Sequence, residues 1–320
     1  ACKNEPRRVL DLLGRMEREG LKPNTVVLTT AINALARAAG SEFTNTALEM
    51  LRDMESNGPE PNIFTYNTVT RAFAEAGQLE EALKVLLSIK NRGLRPDRFT
   101  FTTLLVACGR SKTNSSEQVK EVMTLMKEAG IVPDEIAFGA AIDAHRRGGN
   151  AVLAVDVLHE MIRNGIEPSP AHYNLVLRTL KVGKMAPMMF RMINALGARD
   201  NAKINGNSYE LVIEALVDEG LWRESMVLVA EMDKRDYTLR LELCVRLVEV
   251  LEKARQYRVV LALYRKMVTK GYDFYENEIL NDVFKRLVSV ASIARKEDLT
   301  VDGELVVPDF AVQSQSAKGE

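Results

Sequence analysis

Apolar residues return along most of this chain at steps of three and four. From Ile63, the residues Tyr66, Val69 and Phe73 fall on one stripe of a helix. After a turn at Gly77-Gln78, Leu79, Ala82, Leu83, Leu86 and Ile89 fall on a second stripe. Each stripe predicts an amphipathic helix, and the pair predicts a helical hairpin. Such a hairpin cannot bury both apolar faces alone. Stacked hairpins bury them against one another.

The same pattern recurs. Its clearest mark is a stop: Met, three residues, Gly, two residues, Pro, then a short polar residue. The stops are Met16-Gly20-Pro23-Asn24, Met54-Gly58-Pro61-Asn62, Met126-Gly130-Pro133-Asp134 and Met161-Gly165-Pro168-Ser169. Ile89-Gly93-Pro96-Asp97 is the same string with Ile leading, and degenerate copies follow at Met232-Asp236 and Met267-Gly271. The Met or Ile reads as the last core residue of a helix. The Gly suits the left-handed place just beyond it, and the Pro prevents continuation.

Repeats then start at Thr25, Ile63, Arg98, Glu135, Pro170, Gly206 and Leu241, at spacings of 38, 35, 37, 35, 36 and 35 residues. Residues 1–24, with Val9, Leu10, Leu12, Leu13 and Met16 apolar, match the second half of a repeat. The chain therefore reads as part of a longer protein. A covering helix is expected within residues 276–294 and a disordered tail over 295–320. The expected fold class is all-α: a right-handed α-solenoid superhelix of two-helix repeats of about 35 residues.

Composition agrees with helices. Aromatics are 6% and charged residues 27% of the 320 residues, and the net charge is −1. No stretch approaches the ~18–20 apolar residues of a membrane span. Cys2, Cys108 and Cys244 are too scattered for a disulfide framework or a thiolate metal site. His145, His159 and His172 form no pair at a metal-binding interval. No nucleophile–base constellation is visible. Neither enzyme activity, a cofactor, a metal nor a small-molecule substrate is expected.

The unit from Ile63 carries a more specific signal. Its opening Thr65-Tyr66-Asn67-Thr68, its middle Ala76-Gly77-Gln78-Leu79-Glu80-Glu81-Ala82 and its end Gly93-Leu94-Arg95-Pro96-Asp97 resemble a pentatricopeptide repeat along its whole length. The resemblance extends over roughly residues 1–275, is strongest up to Ser169, and with spacings near 35 suggests the P class of that family. It implies a modular binder of single-stranded RNA, one repeat to one base. It also implies work on organellar transcripts, in chloroplast or mitochondrion, through RNA processing, stabilisation or translation.

The family reads bases with the fifth and last residues of each repeat. Carried over, Thr29 with Asn62 is an adenine pair, Asn67 with Asp97 a uracil pair, and Thr102 with Asp134 a guanine pair. Asn174 with Asn205 is a pyrimidine pair. Gly139 with Ser169 names no base, and Glu210 with Arg240 and Val245 with Tyr275 fit no known pair. The apolar second residue wedges between bases, which implies Val26, Phe64, Phe99 and Ile136. Ala171, Asn207 and Glu242 follow at the same place, becoming polar where the code fails. The implied target is A-U-G-any-pyrimidine, 5′ to 3′.

Charge bears on this reading. Residues 25–169 hold 15 Lys and Arg against 18 Asp and Glu. The first helices nevertheless carry Arg37, Arg71, Arg98, Arg110, Lys112, Arg146 and Arg147 against Glu75, Glu135 and Asp143, so the groove-lining face is expected to be basic. Arg37, Arg110, Arg147 and Lys253 occupy the place where the family often sets a cation toward the phosphates. Residues 206–294 keep the helical pattern and lose the code. They suit the alternative of a protein-binding scaffold or assembly factor, with a protein partner there.

Overall fold

The computed structural model describes residues 6–37, 41–111, 116–197, 204–271 and 285–286. Fifteen helices and no strand occur among these described residues. They are α1 (Pro6–Arg18), α2 (Thr25–Ala36), α3 (Ser41–Ser56), α4 (Ile63–Glu75) and α5 (Leu79–Asn91). Then come α6 (Arg98–Arg110), α7 (Ser116–Glu128), α8 (Glu135–Arg147), α9 (Ala151–Arg163) and α10 (Pro170–Val182). The last are α11 (Ala186–Gly197), α12 (Gly206–Asp218), α13 (Trp222–Lys234), α14 (Leu241–Lys253) and α15 (Tyr257–Thr269). The expected covering helix, apart from residues 285–286, and the expected tail lie outside the described residues.

The Met-Gly-Pro strings act by a defined hydrogen bond. Gly20, Gly93, Gly130 and Gly165 all take φ between +70° and +74°. That left-handed turn brings the next amide back to the carbonyl of the Met or Ile five residues earlier. Leu21 N donates to Met16 O, Leu94 N to Ile89 O, Ile131 N to Met126 O and Ile166 N to Met161 O, at 2.9–3.1 Å. This is the Schellman end, which satisfies carbonyls that a helix terminus would otherwise orphan. The Met or Ile side chains point into the core: Met54, Ile89, Met126, Met161, Met232 and Met267 are at most 3% exposed.

The turns after α4, α8 and α12, inside their hairpins, use the same device. Gly77, Gly149 and Gly220 stand at φ +69° to +72°, and Gln78 N, Asn150 N and Leu221 N return to Phe73 O, His145 O and Leu216 O. Where the pattern decays, other residues hold the left-handed place: Lys184 (φ 52°), Asp236 (φ 57°) and Arg255 (φ 56°). A Cβ in that conformation costs about 1–2 kcal/mol.

The chain forms an α-solenoid and divides into two compact units, residues 1–208 and 209–320, with the boundary inside α12. In the first unit α4 packs on α5 and α6, and α6 packs on α8. First helices thus stack on first helices, one repeat to the next. Ile32, Leu35, Tyr66, Phe73, Phe101, Leu104 and Phe138 are fully buried along this stack. In the second unit α13, α14 and α15 pack around the buried Leu228, Met232, Leu247, Leu251 and Leu263.

Gly77 does two jobs. Its φ is left-handed, and a Cβ there would lie 2.6 Å from the carbonyl oxygen of Arg110, at the end of the next first helix. Gly77→Ala should therefore cost at least about 2 kcal/mol, from conformational strain and a backbone clash together. Arg255→Gly relieves the strain with no clash and should stabilise by about 0.5–1 kcal/mol. Urea unfolding of both variants beside the parent checks the pair; a neutral Gly77→Ala contradicts this account.

Candidate nucleic-acid interface

The last residue of each repeat turns out to be the N-cap of the next first helix. Asn24, Asn62, Asp97 and Asp134 stand in extended conformation, and their side chains accept the amides of Val27, Thr65, Thr100 and Ala137. Asn205 takes the Ser208 amide in the same way, at 3.0 Å. Capping alone favours Asn, Asp and Ser at these positions. A base edge would be a second duty for the atoms the cap leaves over.

The fifth residue comes to the last through a side chain that the sequence analysis missed: the third residue of the following helix. The Thr65 hydroxyl lies 2.8 Å from that of Thr29 and 3.0 Å from Asn62 Oδ1. One repeat on, Thr100 Oγ1 stands 2.6 Å from Asn67 Oδ1 and 2.9 Å from Asp97 Oδ1. Asn67 also donates its amide directly to both Asp97 oxygens, at 3.1 Å. Ser208 joins Asn174 to Asn205 at 2.7 and 2.9 Å. The signal was present in the chain, as Thr, Thr and Ser recurring at one place.

The Thr102/Asp134 repeat is built differently. Ala137 holds the third place and offers no hydroxyl. Thr102 Oγ1 donates to Arg98 O within its own helix at 2.9 Å. Asp134 Oδ2 accepts from Arg98 Nη1 at 3.2 Å. In the Gly139/Ser169 repeat the third place is His172, 6% exposed, whose ring meets both Ser169 and the Glu135 carbonyl.

Beside the polar places runs a row of exposed apolar side chains. Val26 is 71% exposed, Phe64 64%, Phe99 51% and Ile136 69%. Ala171 and Asn207 hold the same place in the next first helices and are also exposed, as is Glu242 in the second unit.

The cations are less available than the sequence pattern suggests. Arg37, Arg110 and Lys253 are exposed, with Arg110 Nη1 3.5 Å from Glu75 O. Arg147, however, donates to Asp143 at 2.8 Å, and Arg146 shares that carboxylate at 2.7 Å. Burial pushes the Asp143 carboxyl up, but hydrogen bonds from Arg147 and Arg146 outweigh it and hold it below the usual range. Arg71 is bonded to Asn33, and Arg98 to Asp134. Arg71, Arg98, Arg146 and Arg147, all expected groove cations, are thus engaged by neighbouring side chains. In the second unit, Glu210 and Arg240 close on each other: Arg240 N and Nε both donate to the Glu210 carboxylate at 2.7 Å. Tyr275, the expected partner of Val245, lies outside the described residues.

Cys108 and Cys244 are buried, and burial pushes the Cys108 thiol up to about 12. Burial also lowers the His145 imidazole from its ordinary value. No cluster of metal-ligating side chains occurs among the described residues. A groove of about 810 Å³ lies between α9 and α11, lined by Leu158, Ile162, Met188 and Met192, and none of the reading residues borders it.

Stacked hairpins that align caps, fifth residues and exposed apolar side chains in register define a helical-repeat protein. The chain belongs to the pentatricopeptide repeat family. The PPR repeat family model matches residues 61–110, and the pentatricopeptide repeat-containing protein model matches 111–232, together more than half of the chain. Among relatives from Arabidopsis thaliana, pentatricopeptide repeat-containing protein At5g25630 is 27% identical over 168 residues, 51% of this chain and 29% of that protein. The mitochondrial relative At1g06140 is 25% identical over 209 residues, 65% of this chain and 35% of that protein. The chain thus spans about a third of the length of these relatives. Among solved structures it is similar to the pentatricopeptide repeat protein PPR10 in complex with an 18-nt psaJ RNA element, at 20% identity and TM-score 0.41, over 91% of this chain and 51% of that one. It is also similar to nuclear proteinaceous RNase P 2 from A. thaliana, at 17% identity and TM-score 0.46, over 59% of this chain and 40% of that one.

The bridging hydroxyls should count in stability. Thr100→Val keeps the shape and strips a donor from the buried Asn67–Asp97 arrangement, so it should cost about 1–3 kcal/mol. Thr102→Val removes a half-exposed hydroxyl bonded to its own helix, and should change stability by less than about 0.5 kcal/mol. Equal effects of the two variants in urea unfolding would contradict this contrast.

Proposed function

We propose that this chain binds single-stranded RNA, one repeat to one base, as a P-class member of its family. The observation that carries the reading is the exposed row of Val26, Phe64, Phe99 and Ile136. Large apolar side chains do not stand in water at one place of four successive repeats for the sake of packing. They fit the faces of unstacked bases, and stacking on such platforms is worth about 1–3 kcal/mol per base. The polar fifth and last residues lie one helical turn and one cap away, where base edges would fall.

The code assigns adenine to Thr29/Asn62, uracil to Asn67/Asp97, guanine to Thr102/Asp134 and a pyrimidine to Asn174/Asn205. Reading stops where Glu210 and Arg240 neutralise each other. That closed pair favours the second reading for the second unit: contact with a protein partner, or no ligand at all. Several relatives are named as mitochondrial or chloroplastic proteins, which supports an organellar place of work. The role there is processing, stabilisation or translation of a transcript, and the chain acts as a binder rather than an enzyme.

Two measurements test the reading. Thr102→Asn turns the guanine pair into the uracil pair and should shift preference from A-U-G-N-C toward A-U-U-N-C oligonucleotides by about 5- to 100-fold, the effect of one misfitted base edge. If parent and variant bind RNA but rank the two sequences alike, the code does not hold here. Arg110→Ala should weaken all single-stranded RNAs alike and flatten the salt dependence, by roughly 0.7 in the log–log slope for a single phosphate no longer neutralised. A weakening confined to one sequence would mean that Arg110 reads a base.

A further inference from the structure

The Gly139/Ser169 repeat lacks a reading side chain at the fifth place, and serine at the last place can either donate or accept. The structure supplies what the pair lacks. A Cβ on Gly139 would lie 3.1 Å from His172 Nε2. The imidazole therefore fills the volume that a fifth side chain occupies elsewhere. His172 arrives from the following helix, at the place held by Thr65, Thr100 and Ser208 in other repeats.

Its proton is fixed by two backbone groups. Nε2 faces the Glu135 carbonyl at 3.1 Å, and a carbonyl can only accept. Nδ1 faces the Ser169 amide at 3.3 Å, and an amide can only donate. The ring is thus the neutral tautomer with hydrogen on Nε2 and a lone pair on Nδ1. The Glu135 carboxylate stands 3.8 Å from Nδ1, too far for a hydrogen bond. Ser169 Oγ lies 2.7 Å from Nδ1. With no hydrogen on Nδ1, that contact consumes the serine's only hydroxyl proton. The hydroxyl has just lone pairs left for a ligand.

We propose that His172 is the specificity-determining residue of this repeat. By taking the Ser169 proton it makes the last place an acceptor, like the carboxylates of Asp97 and Asp134 in the two preceding repeats. The ligand class follows from that chemistry and rests on the RNA reading above. An acceptor-only last place selects bases with a ring N–H, uracil and guanine. It disfavours adenine and cytosine, whose ring nitrogens present lone pairs there.

The test is competition binding of A-U-G-N-C with each of the four bases at N. The parent should prefer uracil and guanine over adenine and cytosine by about fivefold, the worth of one net hydrogen bond. His172→Ala frees the serine hydroxyl to rotate and should bring all four bases within about twofold, while the preferences at the first three bases persist. Alanine stands at the equivalent place in α8, as Ala137, so the fold tolerates it. His172→Ala combined with Ser169→Asp supplies a fixed acceptor by another route and should restore the uracil and guanine preference. A merely structural histidine would not be rescued that way. Indifference of the parent at N, a preference for adenine or cytosine, or an unchanged preference in His172→Ala overturns the inference. Indifference at the first three bases as well overturns the RNA reading itself and this inference with it.

Discussion

The hydrogen bond from the Leu94 amide to the Ile89 carbonyl, repeated at Ile131–Met126 and Ile166–Met161, is the constraint on which the rest of this protein is built. It closes α5, α7 and α9 on their last buried residue and aims the chain at the next first helix. The glycine at φ near +70° makes the bond geometrically available, and the proline two residues on keeps the helix from resuming. The same bond closes the turns after α4, α8 and α12, and every helix of these three hairpins has 13 residues. Constant lengths place the fifth residue, the cap and the exposed apolar residue of every repeat in the same register.

The cap carries a double load. Asn62, Asp97 and Asp134 must accept an amide from the helix they start, and each also takes a second partner: Thr65, Asn67 and Arg98 respectively. A substitution at a last place therefore changes the stability of the helix that it caps. The third residue of the helix restrains the combination. Thr100 holds Asn67 and Asp97 in one arrangement, whereas at Ala137 nothing does, and Arg98 takes Asp134 instead. Repeats with the same nominal pair can thus differ in how firmly their reading atoms are held.

Electrostatics is equally local. Arg147 and Arg146 share Asp143, and Arg240 lies on Glu210, so the formal charge of the first helices overstates the field in front of them. Arg37, Arg110 and Lys253 remain exposed.

The sequence by itself determined the helical class, the hairpins and the buried Met and Ile residues. Those depend on interactions within about one or two helical turns, which neighbouring residues specify directly. The ties between Arg147 and Asp143 were also local, four residues apart, and legible to anyone weighing pairs rather than sums of charge. Only the tertiary structure decided how the reading places are wired. Thr29 meets Thr65, Asn67 meets Asp97, and His172 meets Glu135 across 30 to 37 residues of chain. Those meetings depend on how one repeat packs on the next, and on which rotamer the packing leaves open. Gly139 shows the difference: in the sequence it is an empty place, and in the packed structure the imidazole of the following repeat fills it, because the missing Cβ is what lets the ring come so close.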